Sequence, residues 1–214
     1  MINKKMKQLK NYLFALGCLA AVGFTSCLSD SDGNGNNGLS RQEISQCFTA
    51  IKGDYTGKLM YESVNPNNPN DYADTLDIAW SVTADTMIVI NKFPQAAFLE
   101  EVQDNTLKAA LAEAAPAPLK IDFGFYQTNP ISFILYPLIV NYDIEIEGVA
   151  HKATLAFWCN SYSFGNYNTS SHVFQMQMIM AGLYLDEKTN RNYLQAGSVT
   201  PSLPVVITNA DLSK

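Results

Sequence analysis

A run of aromatic and amide side chains between residues 157 and 171 is the part of this 214-residue sequence best suited to binding chemistry. On a β-strand, Trp158, Asn160 and Tyr162 share one face. If Phe157 and Cys159 fill the core from the other face, these three point outward or into a cleft. Flat rings beside amides suit stacking on a sugar ring or another apolar ligand. The alternative is that the rings pack against a second sheet or beneath a helix. The candidate ligand-binding residues are Trp158, Asn160, Tyr162 and Tyr167.

Two residue pairs could support hydrolysis. Cys159 and His172 would form a cysteine–histidine dyad if their strands were neighbours, but a catalytic cysteine needs an electropositive, partly exposed setting. An apolar strand in an acidic chain favours a buried cysteine and a surface histidine instead. Glu145 and Glu147 share one strand face and could act as an acid–base pair. A solvated strand end explains them more simply, so the sequence favours no catalytic residue. We expect a non-enzymatic binding or accessory domain, with a hydrolase that uses carboxylates or the Cys/His pair and a structural or adhesive envelope subunit as the alternatives.

Metal, cofactor and nucleic-acid chemistry find little support. The segment 30–35 imitates the start of an EF-hand loop, but position 12 of that loop is Arg41, where a bidentate glutamate is required. The sequence has no His-Glu-x-x-His, Cys-x-x-Cys, Gly-x-Ser-x-Gly or phosphate-binding glycine loop. With 14 Lys and Arg against 20 Asp and Glu, the chain lacks the basic residues that phosphate contacts require. We therefore expect no metal, no cofactor and no nucleic acid.

The N-terminus has the pattern of a secretory signal peptide. Lysines precede an apolar stretch, 12–24, that is too short to span a bilayer, and Thr25 and Ser26 precede Cys27. A cysteine directly after small residues resembles a bacterial lipobox, which predicts a signal peptide over 1–26 and lipidation of Cys27. Residues 27–39 form a flexible polar linker to one domain, 40–214. We expect a lipid anchor in the bacterial cell envelope, at the outer membrane, facing the periplasm or the surface, with a glycan or an envelope protein as partner.

Two cysteines remain after processing. Cys18 leaves with the signal peptide and Cys27 receives the lipid, which leaves Cys47 and Cys159 in an oxidising compartment. Both lie in apolar patterns, where free cysteines are commonly buried. They could form a disulfide or remain two separate thiols.

The periodicity predicts a mainly β domain with two helical segments. Ser40 and Glu43 fit a capping box before apolar residues at helical spacing, which indicates a short N-terminal helix. Alternation then predicts a hairpin over 75–90. A helical insertion follows near 94–115, where Asp104 could cap a second helix. Pro116 and Pro118 end it.

The rest of the chain alternates again. The run 131–146 is interrupted at Pro137, and Glu147 and Gly148 form a turn before a strand over 153–164. Further strands are predicted over 172–185, 193–199 and 205–208. About eight to ten short strands indicate an antiparallel β-barrel or β-sandwich, and alternation does not separate the two.

The opening strand, Gly-x-Tyr-x-Gly-x-Leu at 53–59, is followed by a hairpin that ends at Pro94. This combination resembles secreted Bacteroidota-type lipoproteins of unknown function, some of which have calycin-like (lipocalin-like) barrels. The resemblance implies a barrel and supplies no catalytic residue. Two Asp-Thr-hydrophobe triplets also look like the O-glycosylation motif of exported Bacteroidota-type proteins. They make Thr75 and Thr86 candidate modification sites.

Overall fold

The computed structural model describes residues 38–63, 73–83, 87–195 and 203–211. These residues form two α-helices, two 3-10 turns and ten strands. In chain order they are α1 (Arg41–Ile51), β1 (Gly53–Glu62), β2 (Ala73–Val82), β3 (Met87–Phe93), the 3-10 turns Gln95–Ala97 and Leu99–Glu101, α2 (Asn105–Glu113), β4 (Ala117–Thr128), β5 (Ile131–Pro137), β6 (Val140–Ile146), β7 (Val149–Phe157), β8 (Phe164–Asn168), β9 (Val173–Leu185) and β10 (Leu203–Thr208).

Eight of the strands close into an antiparallel barrel, in the order β1-β2-β3-β4-β5-β8-β9-β10. The last strand closes the ring because it pairs with β9 on one side and β1 on the other, as in the register of Leu59 with Ile207. The mainly β prediction is confirmed, and of the two architectures it allowed, the structure has the barrel.

The remaining strands, β6 and β7, extend the barrel wall as a hairpin. They join it through the 13-residue strand β9, whose first half pairs with β8 and whose second half pairs with β7. A two-residue turn connects β6 to β7, and both of its residues, Glu147 and Gly148, have positive φ. Positive φ at both positions defines the type I′ turn that matches the twist of a hairpin. The sequence predicted this turn and the break after Pro137.

Aromatic rings fill the interior of the barrel. The ring of Tyr55 stacks on Trp80 with centroids 5.4 Å apart, and Phe174 contacts both at 5.0 and 5.7 Å. Burial raises the pKa of Tyr55 to about 12, and its hydroxyl donates a hydrogen bond to the carbonyl of Ile51 at the end of α1. This hydrogen bond adds to the buried side chains of Cys47 and Ile51 in holding the helix against the core.

Both helical predictions are confirmed, with one refinement. The Ser40 hydroxyl accepts from the Glu43 amide while the Glu43 carboxylate accepts from the Ser40 amide, which completes the capping box of α1. In the insertion, the Asp104 carboxylate accepts from the amides of Thr106 and Leu107, both at 3.1 Å, and starts α2 there. The part before Asp104 forms two 3-10 turns in place of an α-helix.

One strand prediction is wrong and several predictions lie outside the described residues. The strand expected over 153–164 ends at Phe157, and residues 158–163 form a loop. A strand was also predicted over 193–199. Of that segment the structure describes residues 193–195, where Leu194 forms an isolated bridge with Val102. The predicted signal peptide, Cys27, the EF-hand-like segment and Thr86 all fall outside the described ranges. Within those ranges, no helix has the length and hydropathy needed to cross a membrane.

Candidate binding surface

The loop between β7 and β8, residues 158–163, is held in place by hydrogen bonds between side chains and its backbone. The Ser163 hydroxyl donates to the Trp158 carbonyl at 2.6 Å, and the Asn160 side chain accepts from the Tyr162 amide at 2.9 Å. The buried side chain of Gln177 on β9 donates to the Tyr162 carbonyl at 3.0 Å. These bonds involve backbone, Asn, Ser and Gln atoms, and the side chains of Trp158 and Tyr162 remain exposed.

The same loop contacts the end of β5. The Leu135 amide donates to the Ser163 carbonyl at 2.9 Å, and the Cys159 thiol lies 3.8 Å from the Pro137 carbonyl. The chain beyond Pro137 turns into β6 and exposes its own apolar side chains. Two segments of the molecule, 136–139 and 158–162, therefore meet at one edge of the barrel.

The exposed aromatic and aliphatic side chains of these two neighbouring segments are together called the aromatic patch. Trp158 and Tyr162 are 55% and 66% exposed, although large apolar side chains are usually buried. Apart from Ile44 and Val149, every large hydrophobic residue that is exposed in the described ranges belongs to the patch. A concentration of this kind marks an interaction site more often than scattered single residues do. The patch consists of Tyr136, Leu138, Ile139, Trp158 and Tyr162.

The structure brings together three of the four predicted ligand-binding residues. Trp158 and Tyr162 belong to the patch, and Asn160 is exposed between them. Their exposure comes from the loop and not from the strand alternation that the sequence suggested. Tyr167 does not join them. It is buried inside the barrel, where its hydroxyl and His172 Nδ1 share a hydrogen bond of 3.0 Å.

The geometry separates the candidate cysteine–histidine dyad. Cys159 lies at the Pro137 end of β5, whereas His172 contacts Tyr167, whose backbone pairs with Ile131 at the other end of that strand. Six residues of extended strand span roughly 20 Å, so the two side chains do not converge.

The two cysteines that could have formed a disulfide are free thiols. Cys47 is buried on α1, where burial raises the pKa of its thiol, and Cys159 is exposed in the loop. The prediction that Cys159 packs in an apolar strand is therefore wrong.

Of the two candidate O-glycosylation sites, Thr75 is within the described residues. It lies on β2, is partly buried, and its backbone pairs with Met60.

The two glutamates of the predicted acid–base pair do not share a strand face. Glu145 lies on β6, but the strand ends at Ile146 and Glu147 belongs to the turn, with φ of 52°.

A different polar contact occurs on the neighbouring strand, β7. Nδ1 of His151 and a carboxylate oxygen of Asp186 are 2.8 Å apart. This hydrogen bond, together with one from the Lys152 amide, lowers the pKa of Asp186. In the described part of the chain, no three His, Cys, Asp or Glu side chains are grouped as metal ligands would be.

Sequence reasoning missed the aliphatic half of the patch, Leu138 and Ile139, and its neighbour Tyr136. A usable signal was present. Pro137 interrupts the alternation, so apolar residues directly after it need not point into the core. A second signal was the concentration of Asn and Ser over 160–163, which favours a loop over a continuous strand.

A comparison with protein families shows that the chain matches a known family model. A family model described as a domain of unknown function, DUF4840, matches residues 50–185, from the end of α1 to the end of β9. The match contains the whole aromatic patch, and together with the eight-stranded antiparallel barrel it fits a calycin-like fold. No curated protein and no solved structure shows a significant match to the chain.

Proposed function

This chain belongs to the DUF4840 family of domains of unknown function, and we propose that it is a non-enzymatic binding domain tethered to the bacterial cell envelope. Its aromatic patch would bind a glycan by stacking sugar rings on Trp158 and Tyr162. A peptide or a small apolar ligand is the alternative occupant of the same surface. The resemblance to lipoproteins of unknown function and the lipobox-like N-terminus support the tether.

One observation supports the binding role above the others: the patch is apolar and exposed, and hydrogen bonds from two buried side chains hold its loop in place. The loop carbonyls of Trp158 and Tyr162 both accept from side chains that are themselves buried, Ser163 and Gln177. A surface ordered before binding loses less conformational entropy when the ligand arrives. The separation of Cys159 from His172 argues against the cysteine–histidine form of the hydrolase alternative.

We predict that Trp158→Ala and Tyr162→Ala each weaken glycan binding at least tenfold, about 1.4 kcal/mol, because each removes a ring face that is exposed for contact. Binding would be measured on a glycan array and then by calorimetry with the sugars identified. The free energy of unfolding should change by less than about 0.5 kcal/mol, since both side chains are on the surface.

Val149→Ala is the matched control. Val149 is 56% exposed, as Trp158 is, but it lies at the β6–β7 turn, away from the patch. It should leave affinity unchanged. If Trp158→Ala binds as the unmodified protein does, the patch is not the glycan site. Binding of apolar peptides but no glycan, lost in the same variants, would replace the glycan with the alternative ligand.

The tether has a separate test. With an alkyne fatty acid fed to expressing cells, the full-length protein should incorporate the label, and Cys27→Ser should lose it. Cys18→Ser provides the control, because the predicted cleavage removes Cys18 before the mature protein is formed. Label that persists in Cys27→Ser, or that never appears in the unmodified protein, would contradict the lipid anchor.

A further inference from the structure

Strand β6 forms the open edge of the sheet. Among the described residues it pairs with β7 alone, and β7 connects it to β9. A groove of about 960 Å³ lies between β6 and helix α2, and five consecutive residues, 143–147, line it. Residues 150–152 of β7 and Asp186 line it as well, so the groove extends across the end of the β6–β7 hairpin.

The register shows which backbone groups of β6 point toward the open edge. In a two-residue hairpin the residues flanking the turn, here Ile146 and Val149, form a hydrogen-bonded pair, and such pairs recur at every second position. Ile144 is therefore bonded to β7, whereas the N–H and C=O groups of Asp143 and Glu145 point away from it. A row of unpaired groups of this kind is a template for another strand.

The side chains around the edge have one dominant charge. The floor of the groove is apolar, formed by Ile144 and Ile146 of β6 with alanines of α2. Its rim has five carboxylates against one lysine, Lys152, and one histidine, which is already paired with Asp186. The carboxylates belong to Glu113, Asp143, Glu145, Glu147 and Asp186.

We propose that the β6 edge binds an extended cationic segment of a partner polypeptide as an added strand. The backbone of that segment would pair with Asp143 and Glu145, and its Lys or Arg side chains would face the carboxylates of the rim. Main-chain bonds supply affinity in strand addition, and alternate side chains supply specificity. A second copy of this chain does not fit, because pairing β6 with β6 would place acidic side chains opposite one another, which is destabilising.

The probe is a capped seven-residue peptide of alternating lysine and valine, titrated into the full domain at low and moderate salt. Binding should protect the amides of Asp143 and Glu145 from hydrogen exchange. The amide of Ile144 is bonded to β7 in the free protein and should change little.

Two control peptides should bind at least tenfold more weakly. One replaces lysine with glutamate, and the other is methylated at alternate backbone nitrogens, which keeps the charge but removes the pairing groups.

Two substitutions at Asp143 distinguish the contribution of backbone pairing to peptide binding from the contribution of charge. Asp143→Pro removes an N–H that the hairpin does not use, and proline is tolerated at a strand edge for this reason. It should weaken peptide binding at least tenfold, whereas Asp143→Asn should weaken it two- to threefold and reduce the salt dependence. Equal binding of the methylated peptide, or binding with no new protection at Asp143 and Glu145, would overturn the proposal, as would self-association through β6 in sedimentation. The peptide controls use the unmodified protein, so they test the proposal whether or not the proline variant folds.

Discussion

Replacing Phe174 with alanine should lower the free energy of unfolding by about 3–5 kcal/mol. The side chain is completely buried, and its ring contacts those of Tyr55, Trp80, Phe133 and Tyr167, with centroids 5.0 to 6.1 Å away. These four rings come from β1, β2, β5 and β8. Removing the central ring therefore leaves a cavity that no single strand can fill by moving inward.

Urea denaturation followed by circular dichroism would measure the loss. Tyr162→Ala is the control, since it removes an aromatic ring of similar size from the exposed loop and should cost less than about 0.5 kcal/mol. Phe174→Leu should fall between the two because it keeps part of the buried volume. An alanine variant at 174 no less stable than the one at 162 would show that the barrel interior is not the core.

Among substitutions that add a single methyl group, Gly57→Ala should be the most damaging. It should lower the free energy of unfolding by about 1–3 kcal/mol or more. Gly57 lies on β1 where the last barrel strand ends, and a Cβ there would overlap the carbonyl oxygen of Thr208 and lie 2.9 Å from Cα of Asn209. Both neighbours are backbone atoms, so relief requires β10 to move away from β1. The pairing of β10 with β1, which closes the barrel, would then be disrupted.

Gly124→Ala tests whether the effect belongs to the position or to glycine itself. Gly124 is also within a strand, β4, and a Cβ there has nothing within 4 Å. Loss of chain entropy in the unfolded state should make this variant equally stable or about 0.4–1 kcal/mol more stable. Similar destabilisation at both sites, measured by thermal unfolding, would remove the steric explanation for Gly57.

Local patterns predicted the elements of the fold but not their closure. The capping box at Ser40, the cap at Asp104 and the turn at Glu147 depend on neighbouring residues, so the sequence displays them directly. The barrel depends on β10 pairing with both β9 and β1, and no local pattern shows which strands pair over that distance. Alternation suits a barrel and a sandwich equally.

The sequence predicted several residues of the candidate site but not how they are arranged in space. The sequence identified Trp158 and Tyr162 through their aromatic and amide neighbours, and the structure leaves both exposed. The loop that presents them was not predicted, because the apolar residues on both sides of it outweighed the signal of the Asn and Ser residues over 160–163. The break at Pro137 indicated that Leu138 could be exposed, but no local pattern showed that the loop contacts the end of β5 and places Leu138 near Trp158.

The pairing of β1 with β10 also determines when this domain can fold. A chain that emerges N-terminus first exposes β1 early, yet the partner of Leu59 is Ile207, almost at the end of the described residues. Until β10 emerges, β1 and β9 each present an open edge, and such edges invite pairing with other chains. Contacts between residues so distant in sequence slow folding. We therefore expect the barrel to form only after synthesis of β10, with a need for protection from aggregation until then.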